Sequence, residues 1–258
     1  MMILRIAAVS DRGLAREINE DAVHAGSALI AVADGMGGLP AGEVASEIAI
    51  RSLAALDTVA DESATAPAGF GTGNPTDALR IAVERANRLI GEAVEADPSL
   101  SGMGTTLTAM LLAGDRIAMV HVGDSRAYLL RDGVLTQITK DDTFVQSLVD
   151  KGAITAAEAR RHPQRSLVTQ AVQGREMRPV YTALRPHGGD RFLLCSDGLT
   201  DFVDDDAITE ALTRYADRQL CAERLVELAL RAGGPDNVSA IVADAVVVSE
   251  SEPLAAGR

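Results

Sequence analysis

Residues 105–139, TTLTAMLLAGDRIAMVHVGDSRAYLLRDGVLTQIT, alternate apolar strand-like runs with very short turns at AGDR and RDG. A parallel connection needs a crossover of about a dozen residues or more, so strands joined this tightly must be antiparallel neighbours. On either side of this stretch the period changes. Residues 42–56 and, more strongly, 77–96 carry apolar residues at helical spacing, and 206–232 hold two further helical runs. ILRIAAVS at 3–10, SALIAVAD at 27–34, RFLLCSDG at 191–198 and NVSAIVADAVVV at 237–248 read as strands. DDTFVQSLVDKGAITAAEARRHPQR, residues 141–165, reads as two short helices with a break at Gly152. SATAPAGFGTGNP, residues 63–75, is a surface connection that ends on the helix-start signal Thr76-Asp77.

Helices in runs beside hairpin-linked strands predict an α+β fold rather than alternating βαβ units. No internal repeat of fixed period is visible, which excludes solenoids and propellers. One domain over residues 1–248 is expected, followed by a polar tail at 249–258. Apolar residues make up 47% of the 258, ample for a core, but only 3% are aromatic and there is no Trp. Ala, Leu, Val and Ile must therefore fill the interior. A net charge of −13 argues against a general nucleic-acid binder, because phosphate contacts need Lys and Arg. Cys195 and Cys221 show no CxxC pairing and read as two buried free thiols. No run reaches 18 apolar residues, and Asp11 and Arg12 arrive too early for a signal peptide, so a soluble, cytoplasmic protein without membrane contact is expected.

VADGMGGLPAG (32–42), LLCSDGLTD (193–201) and GGPDNVSAI (233–241) each set an aspartate beside a Gly or Asn turn next to a strand-like run. An isolated Asp-Gly is usually only a turn, and Asp132-Gly133 is read as one. Asp34 and Asp197 differ, because a buried strand precedes each and no hairpin strand follows directly. If the ends carrying Asp34, Asp197 and Asp236 converge, three ionised carboxylates repel, and protons or cations must neutralise them. Oxygen donors favour Mg²⁺ or Mn²⁺, and His24, His121, His162 and His187 lack zinc spacing. Gly35, without a Cβ, lets its own carbonyl approach a cation. REINED, residues 16–21, places Arg16 four residues before Glu20-Asp21 in an apolar N-terminal hairpin. Either it grips an anionic substrate or it forms a solvent-facing ion pair. Asp124, in HVGDSRAY, either sits in a hairpin turn or joins the cluster.

Together, RxxNED at 16–21, ADGMGG at 33–38, GTT at 104–106, GDSR at 123–126, SDGL at 196–199 and GGPDNVS at 233–239 resemble the metal-dependent protein phosphatases, the type 2C Ser/Thr family, in its bacterial form. Six motifs in order, spanning residues 3–248, make the resemblance specific. It implies an αββα sandwich, two antiparallel sheets flanked by helical pairs, and a flap at about 142–166. It further implies two Mg²⁺ or Mn²⁺ ions. Asp34 would bridge both, Gly35 would offer its carbonyl to one, and Asp197 and Asp236 would bind the other. Asp124 would join Asp197 at a third, weaker ion. Glu20 and Asp21 would stand in the outer shell, Asn237 would orient Asp236, and Arg16 would hold the phosphate. The implied activity is hydrolysis of phosphoserine and phosphothreonine by metal-activated water in a monomer that counteracts bacterial Ser/Thr kinases. Many eukaryotic relatives carry His where this chain has Met36, and methionine cannot give a proton to the leaving group; His162 is a candidate replacement. Alternatives are a phosphoprotein-binding pseudo-enzyme, against which every metal-site position is filled, and a hydrolase of small phosphate metabolites.

Overall fold

The computed structural model describes residues 1–37, 41–61 and 74–248. In chain order these form β1 (Met2–Asp11), β2 (Asp21–Ala25), β3 (Leu29–Met36), α1 (Gly42–Asp61), α2 (Pro75–Ala96), β4 (Gly104–Thr105), β5 (Leu107–Ala113), β6 (Arg116–Val122), β7 (Arg126–Arg131) and β8 (Val134–Gln137). There follow α3 (Phe144–Asp150), α4 (Ala156–Ala159), β9 (Val180–Leu184), β10 (Arg191–Cys195), α5 (Asp197–Thr200), α6 (Asp205–Arg214), α7 (Arg218–Arg231) and β11 (Val238–Val247). The surface connection expected at 63–75 falls almost wholly outside the described residues, as does the tail at 249–258.

Two antiparallel sheets result, ordered β1-β11-β10-β7-β8 and β2-β3-β5-β6-β9, with β4 pairing the end of β3. Period-2 alternation sorts the side chains of the central strands into three layers. On β3, Ile30 and Val32 point between the sheets, while Leu29, Ala31 and Ala33 meet α1 and α2. On β10, Phe192 and Leu194 point inward, while Leu193 and Cys195 meet α6 and α7. Both faces of these strands are buried, which is why they read as unbroken apolar runs. Small residues such as Ala31, Ala33, Ala45 and Ala49 let α1 lie close on its sheet. The αββα sandwich is the fold, and Cys195 and Cys221 are buried free thiols as expected.

Both expected hairpins form, β5–β6 closing at Ala113↔Arg116 and β7–β8 at Arg131↔Val134. Asp132 and Gly133 take the left-handed conformations (φ 53° and 79°) that such a two-residue turn demands. Between these hairpins the antiparallel rule fails. Gly123, Asp124 and Ser125 carry the chain from β6 in one sheet to β7 in the other. Stacked sheets lie about 10 Å apart, a gap that three extended residues span, so a short link need not join neighbours. The expected N-terminal hairpin is also corrected. β1 pairs along its whole length with β11, from Met2↔Val247 to Asp11↔Val238, and β2 pairs with β3. A ten-residue ladder outweighs a local turn, and residues 12–20 cross between the sheets instead. β2 and β9 were not expected; their edge positions leave them half-exposed and without an apolar run.

Candidate metal centre

One edge of the sandwich gathers the predicted residues. In one sheet β1 ends at Asp11, β11 begins at Val238, β10 ends at Cys195 and β7 begins at Arg126. In the other, Asp34 lies near the end of β3, opposite Asp21 in register. Asp197 opens α5 directly after β10, and Asp236 precedes β11. Asp124, in the link between sheets, is buried at this same edge. Five separated stretches thus place carboxyls at one edge.

Electrostatics there are severe. The carboxyls of Asp34 and Asp197 lie close enough to interact directly. Desolvation, then the charges of Asp21, Asp197 and Asp124, hold Asp34 well above the usual carboxylate range. Asp197 is raised likewise by desolvation and by Asp124, Asp201 and Asp236. Burial pushes Asp124 up to about 7 and Asp21 up to about 6. Glu20 is raised by burial and by neighbouring Glu43. Such a cluster calls for positive charge or protons. Among the described residues no three His, Cys, Asp or Glu side chains close into a ready-made cage. Oxygen donors offered one or two at a time suit Mg²⁺ and Mn²⁺, which keep several waters, and do not suit zinc. The donor chemistry therefore fits.

The frame around these carboxyls is hydroxyl-rich. Thr106 Oγ1 accepts from Asp34 N (2.9 Å), while Thr106 N and Thr105 Oγ1 donate to the Asp34 carbonyl (2.9 and 3.0 Å). Thr106 Oγ1 also lies 2.8 Å from Ser125 Oγ, linking Asp34 to the loop of Asp124 across the two sheets. A Cβ on Gly123 (φ 104°) would come within 2.7 Å of Thr106 Cγ2, so only glycine allows that approach. The GTT and GDSR motifs contain these residues; a hydroxyl inside an otherwise apolar strand was the signal of their role. Beneath Asp124, Arg126 clamps Asp141 through Nε and Nη2 (2.7–3.0 Å) and meets the Tyr128 hydroxyl.

Arg16 stands at the exposed rim, its Nη2 donating to Asp236 Oδ2 at 2.8 Å. The loop that carries it is pinned by Asn237, whose Nδ2 donates to the carbonyls of Arg12 and Ile18 and whose Oδ1 accepts from Glu20 N. The Asn237 side chain therefore positions the arginine loop, and only its backbone N–H reaches Asp236 (2.8 Å). Gly35 N donates to the Glu20 carbonyl, and a Cβ there would lie 2.3 Å from the Gly42 carbonyl oxygen. Its missing side chain lets the start of α1 close on the site. Met36 lies opposite Gly104 in register. His162 follows α4 and packs against Phe144 with ring centroids 6.1 Å apart, and its Nδ1 accepts from Gln164 N.

Residues 142–166 contain α3 and α4, and Gly152 (φ 68°) makes the break between them. They wall a cleft of about 320 Å³ whose lining includes Asp124, Asp197, Arg165, Thr200 and Asp201. Asp201 holds this wall in place through Arg165 Nε (3.3 Å) and Ser166 Oγ (3.3 Å).

The family model described as protein phosphatase 2C matches residues 15–230. The chain is 54% identical over 258 residues to the serine/threonine protein phosphatase PstP of Mycobacterium tuberculosis, covering 99% of itself and 48% of that protein. It thus spans about half the length of that relative. It is 34% identical to the serine/threonine phosphatase stp of Listeria monocytogenes, covering 91% of itself and 93% of that protein. The solved catalytic domain of PstP in complex with two manganese ions superposes with a TM-score of 0.87 at 53% identity, covering 96% of this chain and all of that one. A sandwich of this topology with an all-oxygen acidic edge defines the class, that of metal-dependent phosphatase domains. The chain belongs to the protein phosphatase 2C family.

Proposed function

We propose that this chain is the catalytic domain of a protein serine/threonine phosphatase that hydrolyses phosphoserine and phosphothreonine with Mg²⁺ or Mn²⁺. The observation that carries the reading is the oxygen-only acidic cluster beside an exposed arginine at one sandwich edge. Asp34 and the Gly35 carbonyl would hold one ion, with Asp34 shared by a second that Asp197 and Asp236 bind. Asp124 with Asp197 would hold a third, weaker ion, and Glu20 and Asp21 would serve the outer shell. When bound, such ions supply positive charge and lower the pKa of water from 15.7 to about 7. Arg16 turns its guanidinium from Asp236 to the phosphate, offsetting charge that develops on the phosphoryl oxygens. Asn237 keeps the Arg16 loop in register with the carboxyls, and Thr105 and Thr106 keep Asp34 from shifting. The helical pair at 142–166 shapes substrate access as a flap on the domain spanning 1–248.

The substrates proposed are phosphorylated proteins, bacterial Ser/Thr kinases among them, and the working form is a monomer in the cytoplasm. None of the described helices is long and apolar enough to cross a membrane. The test is Mn²⁺-dependent dephosphorylation of a phosphothreonine peptide by the native chain and by Asp34→Asn. Loss of turnover on chelation and on substitution is expected; turnover that survives both overturns the reading.

A further inference from the structure

The carboxylate of Asp21 sits at the end of a hydrogen-bond chain whose direction can be assigned donor by donor. Ser239 Oγ donates to Asp21 Oδ2 at 2.7 Å. A hydroxyl has one proton, so in the 2.8 Å contact between Ser10 Oγ and Ser239 Oγ the proton belongs to Ser10. Ser10 then accepts from Asn19 Nδ2 (2.8 Å), and Asn19 Oδ1 accepts from Asp21 N (3.2 Å), which closes the ring and orients the amide. Ser196 Oγ donates to the same Asp21 oxygen (2.8 Å) and accepts from Ser239 N (2.9 Å). Two elements, β11 and the junction of β10 with α5, therefore aim donors at Oδ2, and β1 supports the first of them through Ser10. The other oxygen, Oδ1, is buried and receives no hydrogen bond from a donor among the described residues, and the Asp34 carboxyl lies close beside Asp21.

We propose that Ser10, Asn19, Ser196 and Ser239 are positioning residues: a one-way relay that grips Oδ2 of Asp21 and leaves Oδ1 facing the cation pair. The inference rests on the reading above that Asp21 serves the outer shell of that pair. A carboxylate saturated on one oxygen and bare on the other is costly when buried, unless the bare oxygen meets a cation or an ordered water. Ser10 is exposed and could have used solvent as its acceptor, yet its proton is directed inward. Outer-shell partners of this kind set metal affinity without touching the ion or the substrate.

The test is Mn²⁺ binding to the whole chain, followed by the electron paramagnetic resonance signal of free Mn²⁺, which needs no turnover. Ser239→Ala should raise the Mn²⁺ dissociation constant by about tenfold or more. Ser10→Ala, at an exposed position that folding tolerates, should raise it by at least about threefold, and Ser10→Thr, which keeps the hydroxyl, should restore it. Ser52→Ala removes an equally buried hydroxyl that bonds only Ile48 O within α1, and should leave binding unchanged. Dissociation constants for Ser239→Ala and Ser10→Ala within about twofold of the native chain overturn the relay while the phosphatase reading stands. A native chain that binds no Mn²⁺ overturns that reading, and the relay falls with it.

Discussion

At the scale of single residues, the site combines groups that repel with groups that cannot move. Among the described residues Arg16 alone forms an ion pair with Asp236, from the exposed rim, and it is held there by backbone contacts of its loop rather than by its own packing. Arg16→Ala should lower kcat/KM for a phosphopeptide by about a hundredfold, the usual cost of one donor to a developing oxyanion. Steady-state kinetics at saturating Mn²⁺ would show it, and a change under threefold would exclude Arg16 from phosphate binding. Met36 leaves the alkoxide of serine without a side-chain acid at that position, and His162, just beyond α4, packs against Phe144. A phenolate needs a proton less, the phenol pKa being about 10. Aryl phosphates should therefore turn over disproportionately fast against phosphopeptides; equal single-turnover rates on both would remove this role of Met36. Asp34 and Asp197 were legible as candidates because a buried strand precedes each and no hairpin strand follows directly, and Asp236 because it sits beside an Asn turn next to a strand-like run. The relay through Ser10 was not legible, since nothing in MMILRIAAVS separates one exposed serine on an edge strand from any other.

Among the elements, close approach of backbones decides where the carboxyls point. A Cβ on Gly198 would lie 1.9 Å from the Asn237 carbonyl oxygen, so α5 rests directly on the start of β11. Gly198→Ala should push α5, and Asp197 with it, away from Asp236. Overpacking of this kind costs about 1–3 kcal/mol. It should appear as a lower denaturant midpoint at unchanged slope, with weaker Mn²⁺ binding. A midpoint equal to that of the native chain would mean the junction yields freely. The helices behave as their sequence predicts. The start of α2 differs: the helix begins at Pro75, and Asn74, rather than Thr76-Asp77, caps it by accepting from Thr76 N; Thr155 with Glu158 forms a reciprocal capping box on α4. The strands at the edges were harder. β9 is VYTAL with only Tyr181 and Leu184 partly shielded, and one-sided burial of a short run leaves little periodic signal.

For the molecule as a whole, the acidic edge makes stability depend on pH and on metal. Asp21, Asp34, Asp124 and Asp197 bind protons more tightly folded than unfolded, because their folded pKa values lie above the ordinary 3.8. Below that pH they are protonated in both states and cost nothing; as pH rises through about 6 and 7, the values of Asp21 and Asp124, the penalty grows. His121 acts oppositely, since burial lowers it from 6.5 and stability is lost as pH falls below that value. Four carboxyls outweigh one imidazole. The chelated protein should therefore melt at a higher temperature at pH 5 than at pH 7.5. Mn²⁺ should remove most of the difference, adding about 2.7 kcal/mol at a hundred times its dissociation constant. A chelated melting temperature that climbs steadily from pH 5 to pH 7.5 would contradict the assignment of these four groups. Sequence alone determined the α+β class, the helical pairs, both hairpins and the identity of the acidic residues, because periodicity, turn chemistry and residue type are local properties. Only tertiary structure decided that β1 joins β11, that Gly123–Ser125 step between sheets, that Asn237 serves the Arg16 loop, and that Asp21 is gripped on one oxygen. Each of those depends on which surfaces meet across the fold, and burial on two faces erases the alternation that would have announced it.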